Sequence, residues 1–101
     1  MTLGTTTLPP KERLILERLV GAGPAYGQQL VDESSGALKR GTVYVTLSRM
    51  EAKALITSEQ EAQLPGATGL PRRIYRVTGL GERLLTAWAT FQKELAMETR
   101  S

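Results

Sequence analysis

Thr42, Thr46 and Arg49 recur at helical spacing in Gly41-Thr42-Val43-Tyr44-Val45-Thr46-Leu47-Ser48-Arg49-Met50-Glu51, and no acid precedes Glu51. Two hydroxyls and a guanidinium on one helix face suit phosphate oxygens and base edges, because hydroxyls donate or accept and arginine pairs bidentately with guanine O6 and N7. Val43, Leu47 and Met50 fall at i, i+4 and i+7, which gives the same helix an apolar stripe to bury. Tyr44 sits at the boundary, where its hydroxyl either meets a phosphate or its ring packs beneath a neighbouring element. Lys39 and Arg40 precede the helix, placed for phosphates. A second acid-free basic segment follows at Pro71-Arg72-Arg73-Ile74-Tyr75-Arg76. On an extended strand Arg72 and Arg73 point opposite ways, so at most one reaches deep into a groove. Arg76 lies further along and reads as structural. These residues together point to double-stranded DNA as the partner. The competing reading of any single charge is solvated surface; two basic segments that fold into one patch are harder to explain that way.

The chemistry that other functions need is thin. The 101-residue chain has no histidine and no cysteine, so the commonest zinc ligand, the commonest general base and any thiolate or disulfide are missing. No phosphate-loop pattern or carboxylate cluster marks an enzyme, a metal site or a cofactor. Gly79-Leu80-Gly81 reads as a helix start, not a nucleotide loop. No apolar run approaches the ~20 residues of a membrane span. Met1-Thr2-Leu3-Gly4-Thr5 lacks the pattern of a secretory signal, and a cytoplasmic protein is expected. The net charge of +3 means little by itself, since from Thr78 onward acids and bases cancel. The excess lies in the two central segments.

Those segments need a frame, and the pattern supplies one. Residues 1–8 read as a flexible arm. A first helix begins at Pro9 or Pro10, where a missing N–H costs nothing, and carries Ile15, Leu16, Leu19 and Val20 as its stripe. Gly21-Ala22-Gly23-Pro24 stops it. A short second helix covers about Tyr26 to Ser34, with Gly27 inside it as a sign of close packing. The third helix spans about Gly41 to Lys53. Strands follow at Ile56–Glu61 and Arg72–Val77, joined by a Gly- and Pro-rich loop over 62–71. Thr78 caps a last helix over about Leu80–Met97. The order α-α-α-β-β-α is mainly α with a small β-hairpin: a winged helix-turn-helix over 9–78, with the third helix for recognition, and a C-terminal helix over 79–101.

Leu84, Trp88, Phe91 and Leu95 are spaced 4, 3 and 4 along that last helix, a coiled-coil-like seam. The first helix covers part of it, and the last helix of a second copy is the simpler cover for the rest. A homodimer with a palindromic operator follows. A small hydrophobic effector held beside Trp88 and Phe91 at the dimer axis is the sharper reading, and plain core is the competing one.

Three segments carry a resemblance. Ala25-Tyr26-Gly27-Gln28-Gln29-Leu30 resembles the Tyr-Gly-x-x-Leu motif of the PadR family of bacterial transcriptional regulators. Gly41-Thr42-Val43-Tyr44 with Leu47, Met50 and Glu51 resembles its Gly-Thr-x-Tyr-x-x-Leu-x-x-Leu-Glu, and Pro71 to Thr78 with Gly81 resembles its wing strand and last-helix start. The likeness runs from about Leu14 to Leu85. It implies a dimeric winged-helix DNA binder, usually a repressor, often answering to a small hydrophobic ligand. Two departures stand out. The C-terminal region is short, as in a compact branch with a single dimerising helix. Ala54 stands where the family has glycine; an alanine at positive φ costs roughly 1 kcal/mol, so a different helix end is expected. The runner-up function is a winged-helix protein-interaction module without sequence-specific DNA binding.

Overall fold

Pro10 opens the first helix in the computed structural model, which describes residues 8–62, 66 and 71–98. This helix, α1, spans Pro10–Ala22. It buries Ile15, Leu16 and Leu19, whereas Val20, expected in the stripe, is 44% exposed. Val20 lies one residue beyond Leu19, on the side turned from the core. Leu8, expected in the flexible arm, is instead 7% exposed and packed into the core. Residues 1–7 of that arm lie outside the described residues. After Gly23 the chain forms a two-residue strand, β1 (Ala25–Tyr26), and then α2 (Gly27–Glu33). Two residues have no periodicity to read, and Tyr26 of β1 falls where the expected second helix begins.

The third helix, α3, runs Arg40–Ala52, followed by β2 (Ile56–Gln60), β3 (Arg73–Val77) and α4 (Gly79–Glu98). The expected hairpin is therefore part of a three-stranded antiparallel sheet in the order β1-β3-β2. Ala25 pairs with Tyr75, and Ile56 through Gln60 pair with Val77 through Arg73. Of the loop between β2 and β3, residues 63–65 and 67–70 lie outside the described residues, as do 99–101 of the C-terminal segment. Val43, Leu47 and Met50 of α3 meet Ile15, Leu16 and Leu19 of α1, Leu30 of α2, and Ile56 and Tyr75 of the sheet in one core.

The end of α3 shows how strongly tertiary structure fixes it. Ala54 has φ 64. The Ala54 N–H donates to Glu51 O at 2.9 Å and the Leu55 N–H to Met50 O at 3.0 Å, the paired bonds of a Schellman cap. Leu55, 4% exposed, drops into the core just after it. The different helix end expected for an alanine is thus corrected: α3 ends with the left-handed residue all the same. Two capping bonds and the burial of Leu55 outweigh the strain. Ala54→Gly is expected to raise stability by about 1 kcal/mol, since it removes a left-handed Cβ at a site that tolerates glycine. Denaturant melts at matched m-value check this, and an unchanged midpoint would remove strain from the account of this turn.

Candidate nucleic-acid interface

Burial along α3 divides the expected contacts. Thr42 is exposed at the first turn. Tyr44 is 48% exposed. Thr46, expected to face outward beside Thr42 and Arg49, is only 9% exposed, and its hydroxyl lies 3.4 Å from Thr42 O. The correction has a simple cause. Thr46 directly precedes Leu47 and stands three residues after Val43, so it falls within the sector of α3 that α1 covers. The outermost line of α3 is instead Gly41, Val45, Ser48 and Ala52, spaced 4, 3 and 4, and Val45 is 51% exposed. Val45 was missed by attending to polar residue type, and Ser48 by placing the outer face on the line of Thr42, Thr46 and Arg49. The position opposite Val43, Leu47 and Met50 was the available signal.

The cations around this line are unclaimed. Lys39, Arg40 and Arg49 are exposed. None has a side-chain hydrogen bond or ion pair among the described residues. Arg49 opens on a hollow that it shares with Thr46 and with Pro9, Pro10, Lys11 and Glu12 of the start of α1. Glu12 in that hollow is 5% exposed, and both its carboxylate oxygens accept from Lys53 Nζ, at 2.8 and 3.0 Å. The acid that shares this hollow with Arg49 is therefore already satisfied.

Tyr44 answers the choice between contact and packing with some of each. A Cβ on Gly27 would stand 2.6 Å from Tyr44 Cε1 and 2.8 Å from its hydroxyl oxygen. The phenol end of the ring therefore presses against the start of α2, and glycine is what permits that approach. Its other side remains open, beside Ser48 and the wing.

The wing separates Arg72 from Arg73, as strand alternation requires. Arg72 stacks over the Tyr26 ring at 4.4 Å and lies 3.4 Å from Glu61, whose other oxygen accepts the Tyr26 hydroxyl. That hydrogen bond, with some burial, raises the Tyr26 pKa above the usual phenol value. Arg73 falls on the opposite face, with Tyr75 and Ser58. Burial likewise pushes the Tyr75 phenol up, and the nearby Glu51 carboxylate adds to it. A hollow between α3 and the wing is lined by Tyr44, Ser48, Glu51, Arg72 and Arg73 among others. The sequence-predicted residues thus gather on two adjoining surfaces, with Thr46 withdrawn and Arg72 bound to wing partners.

The predicted seam of α4 divides as well. Leu84 and Trp88 are half-buried and pack against the chain's own core, and Arg13 of α1 covers the Trp88 ring at 4.9 Å. Phe91 and Leu95 are each 46% exposed. Among the described residues no group of acids suits a metal ion, and no helix is long and apolar enough to cross a membrane.

Three helices, the second and third of them joined by a short turn, followed by a β-hairpin beside the third, define a winged helix-turn-helix protein. A model of the PadR-like transcriptional regulator family matches residues 15–87, and the chain belongs to that family. It is a family of transcriptional regulators, not of enzymes. Transcriptional regulator Rv3488 of Mycobacterium tuberculosis is 43% identical over 58 residues, 57% of this chain and 50% of that protein. The chain thus spans about half the length of this curated relative. A PadR-like transcription factor from Bacteroides fragilis superposes with a TM-score of 0.71 at 27% identity, over 87% of this chain and 84% of that one. A PadR family regulator from Clostridium difficile R20291 does so with a TM-score of 0.67 at 30% identity, over 90% and 98%.

Proposed function

We infer that this chain is a cytoplasmic bacterial repressor that binds a palindromic DNA operator as a homodimer. The observation that carries the reading is the set of three cations, Lys39, Arg40 and Arg49, around the exposed face of α3, none with a side-chain partner among the described residues. The small side chains of Gly41, Val45, Ser48 and Ala52 let the helix approach a major groove closely. Thr42, Tyr44 and Arg49 flank that line and supply the groups that touch phosphates or base edges. Lys39 and Arg40 take phosphates at the helix start. Arg73 is the wing residue best placed to follow, and Arg72 serves mainly to brace the wing.

The dimer reading rests on α4. Leu80, Phe91, Leu95 and Met97 are 44%, 46%, 46% and 59% exposed, a large apolar load for one helix of a monomer. A 20-residue helix is about 30 Å long, and Phe91, Leu95 and Met97 lie in its second half. The second copy's α4 is the cover proposed for this half. In that dimer residues 8–78 form the DNA-binding domain and 79–101 the dimerising segment, with Trp88 and Phe91 beside any small hydrophobic effector.

Selection of duplexes from a random pool, followed by titration of the winner and a scramble at two salt concentrations, tests the reading. A palindromic winner is expected, with affinity falling steeply as salt rises. Absence of enrichment, with weak binding to every duplex, would transfer the bet to a protein-interaction module that presents the same helix to an acidic partner.

A further inference from the structure

The two faces of the wing carry charge differently. On the outer face Arg72 is paired with Glu61, and Arg76 lies 3.7 Å from Glu59, so cations and acids cancel on the strands themselves. The inner face is turned toward α3. There Arg73 Nη1 donates to Ser58 Oγ at 2.9 Å, and Ser58 Oγ donates to Glu51 Oε2 at 2.7 Å. The acid in this chain comes from the last turns of the recognition helix and not from the wing. Ser58 is half-buried and pairs in register with Tyr75, which fixes its side of the sheet.

A hydroxyl that commits its proton to a carboxylate presents lone pairs to whatever else it meets, so Ser58 is a directed acceptor for a guanidinium. A direct Glu–Arg pair would have engaged the guanidinium fork and cancelled its charge at close range. The serine between them holds one nitrogen of Arg73 and leaves its other N–H donors without a partner among the described residues. An exposed arginine otherwise loses its rotamer freedom at the moment of contact; ordering it in the free protein removes that cost from binding.

We propose that Glu51 and Ser58 are positioning residues, which hold Arg73 at a fixed reach from α3 so that helix and wing meet a duplex as one unit. This rests on the DNA-binding reading above. It assigns to Glu51, an acid beside a phosphate-binding surface, a role other than repulsion.

A double-mutant cycle on the full chain tests the relay, using the pool-selected duplex. Ser58→Ala is expected to weaken binding about three- to tenfold, the range of one lost hydrogen bond. It should also reduce the slope of log affinity against log salt by about 1, as for one lost phosphate contact. Ser58→Thr restores both, and in an Arg73→Ala background Ser58→Ala does nothing further. Glu51→Gln and Glu51→Ala delete the same charge, but only Gln keeps an oxygen for Ser58, so the Ala variant is expected to bind at least about threefold more weakly than the Gln variant. In the free protein, nitrogen relaxation at Arg73 Nε should report greater motion in Ser58→Ala than in the parent. Additive effects of Ser58→Ala and Arg73→Ala, equal binding of the two Glu51 variants, or an Arg73 side chain equally ordered without Ser58 would overturn the relay alone. A parent chain that binds no duplex with salt sensitivity would overturn the DNA reading and the relay's purpose with it.

Discussion

Gly81→Ala is expected to cost about 3 kcal/mol or more of folding stability, from overpacking and lost backbone hydrogen bonds. A Cβ at this position would stand 2.3 Å from Leu55 O, 2.9 Å from Val77 Cγ2 and 3.2 Å from Leu16 Cδ2. The closest obstacle is backbone, so no rotamer change relieves it. Leu55 O is also in use: it accepts the Thr78 N–H at 3.0 Å, while the Thr78 hydroxyl lies 2.7 Å from Ala54 O and 3.0 Å from Leu55 O. The Gly81 N–H in turn donates to Thr78 Oγ1 at 3.0 Å, which caps α4. Pushing Leu55 aside therefore disturbs the Schellman turn of α3 and the cap of α4 together. The better helix propensity of alanine returns about 1 kcal/mol at most, too little to change the sign. Gly79→Ala is the control, because its Cβ would meet only the flexible Arg83 Nη1, at 3.4 Å. Denaturant melts should show a large drop for Gly81→Ala and almost none for Gly79→Ala. Equal midpoints for the two would mean that α4 leaves the body at an angle the core does not fix.

What the sequence could tell differed from element to element for physical reasons. Val43, Leu47 and Met50 mark the buried side of α3 because three apolar residues at helical spacing leave one reasonable orientation. The width of the buried sector is another matter. It depends on how closely α1 crosses α3, and Thr46 lay inside the part that the spacing did not define. Gly27 announced a close approach without naming the partner, which proved to be Tyr44, 17 positions along the chain. The ion pairs of the wing were beyond reach in the same way, since Tyr26, Glu61 and Arg72 meet only once β1 has paired with β3. Ala54 taught the converse. Its local preference argued correctly for a cost, but two capping bonds and the burial of Leu55 decided the conformation. The seam of α4 was legible as apolar and partly covered by α1, whereas the cation that covers it, Arg13 over the Trp88 ring, was not.

Arg49→Ala is expected to weaken binding to the selected duplex by about 1–3 kcal/mol and to relax preference at one base pair, as the loss of a base-edge contact does. The competing reading of Arg49 is that a nearby acid neutralises it. The structure supplies a candidate acid, Glu12, in the same hollow, and also the reason it does not act: Lys53 engages both of its oxygens. Glu12 additionally stands in the first turn of α1, where the helix dipole favours a carboxylate. Lys53 thus occupies the buried acid that lies nearest Arg49 in this hollow. It follows that Lys53→Met should weaken DNA binding even where Lys53 itself touches no phosphate, because Glu12, deprived of its cation, turns to the nearest one. Adding Glu12→Gln to Lys53→Met removes the stray charge and should restore most of the affinity. Titrations of the four proteins against the selected duplex and its single-base variants separate the cases. If Arg49→Ala leaves both affinity and base preference unchanged, Arg49 is not a reading residue. If the double variant stays as weak as Lys53→Met, then Lys53 acts on DNA directly and not by restraining Glu12.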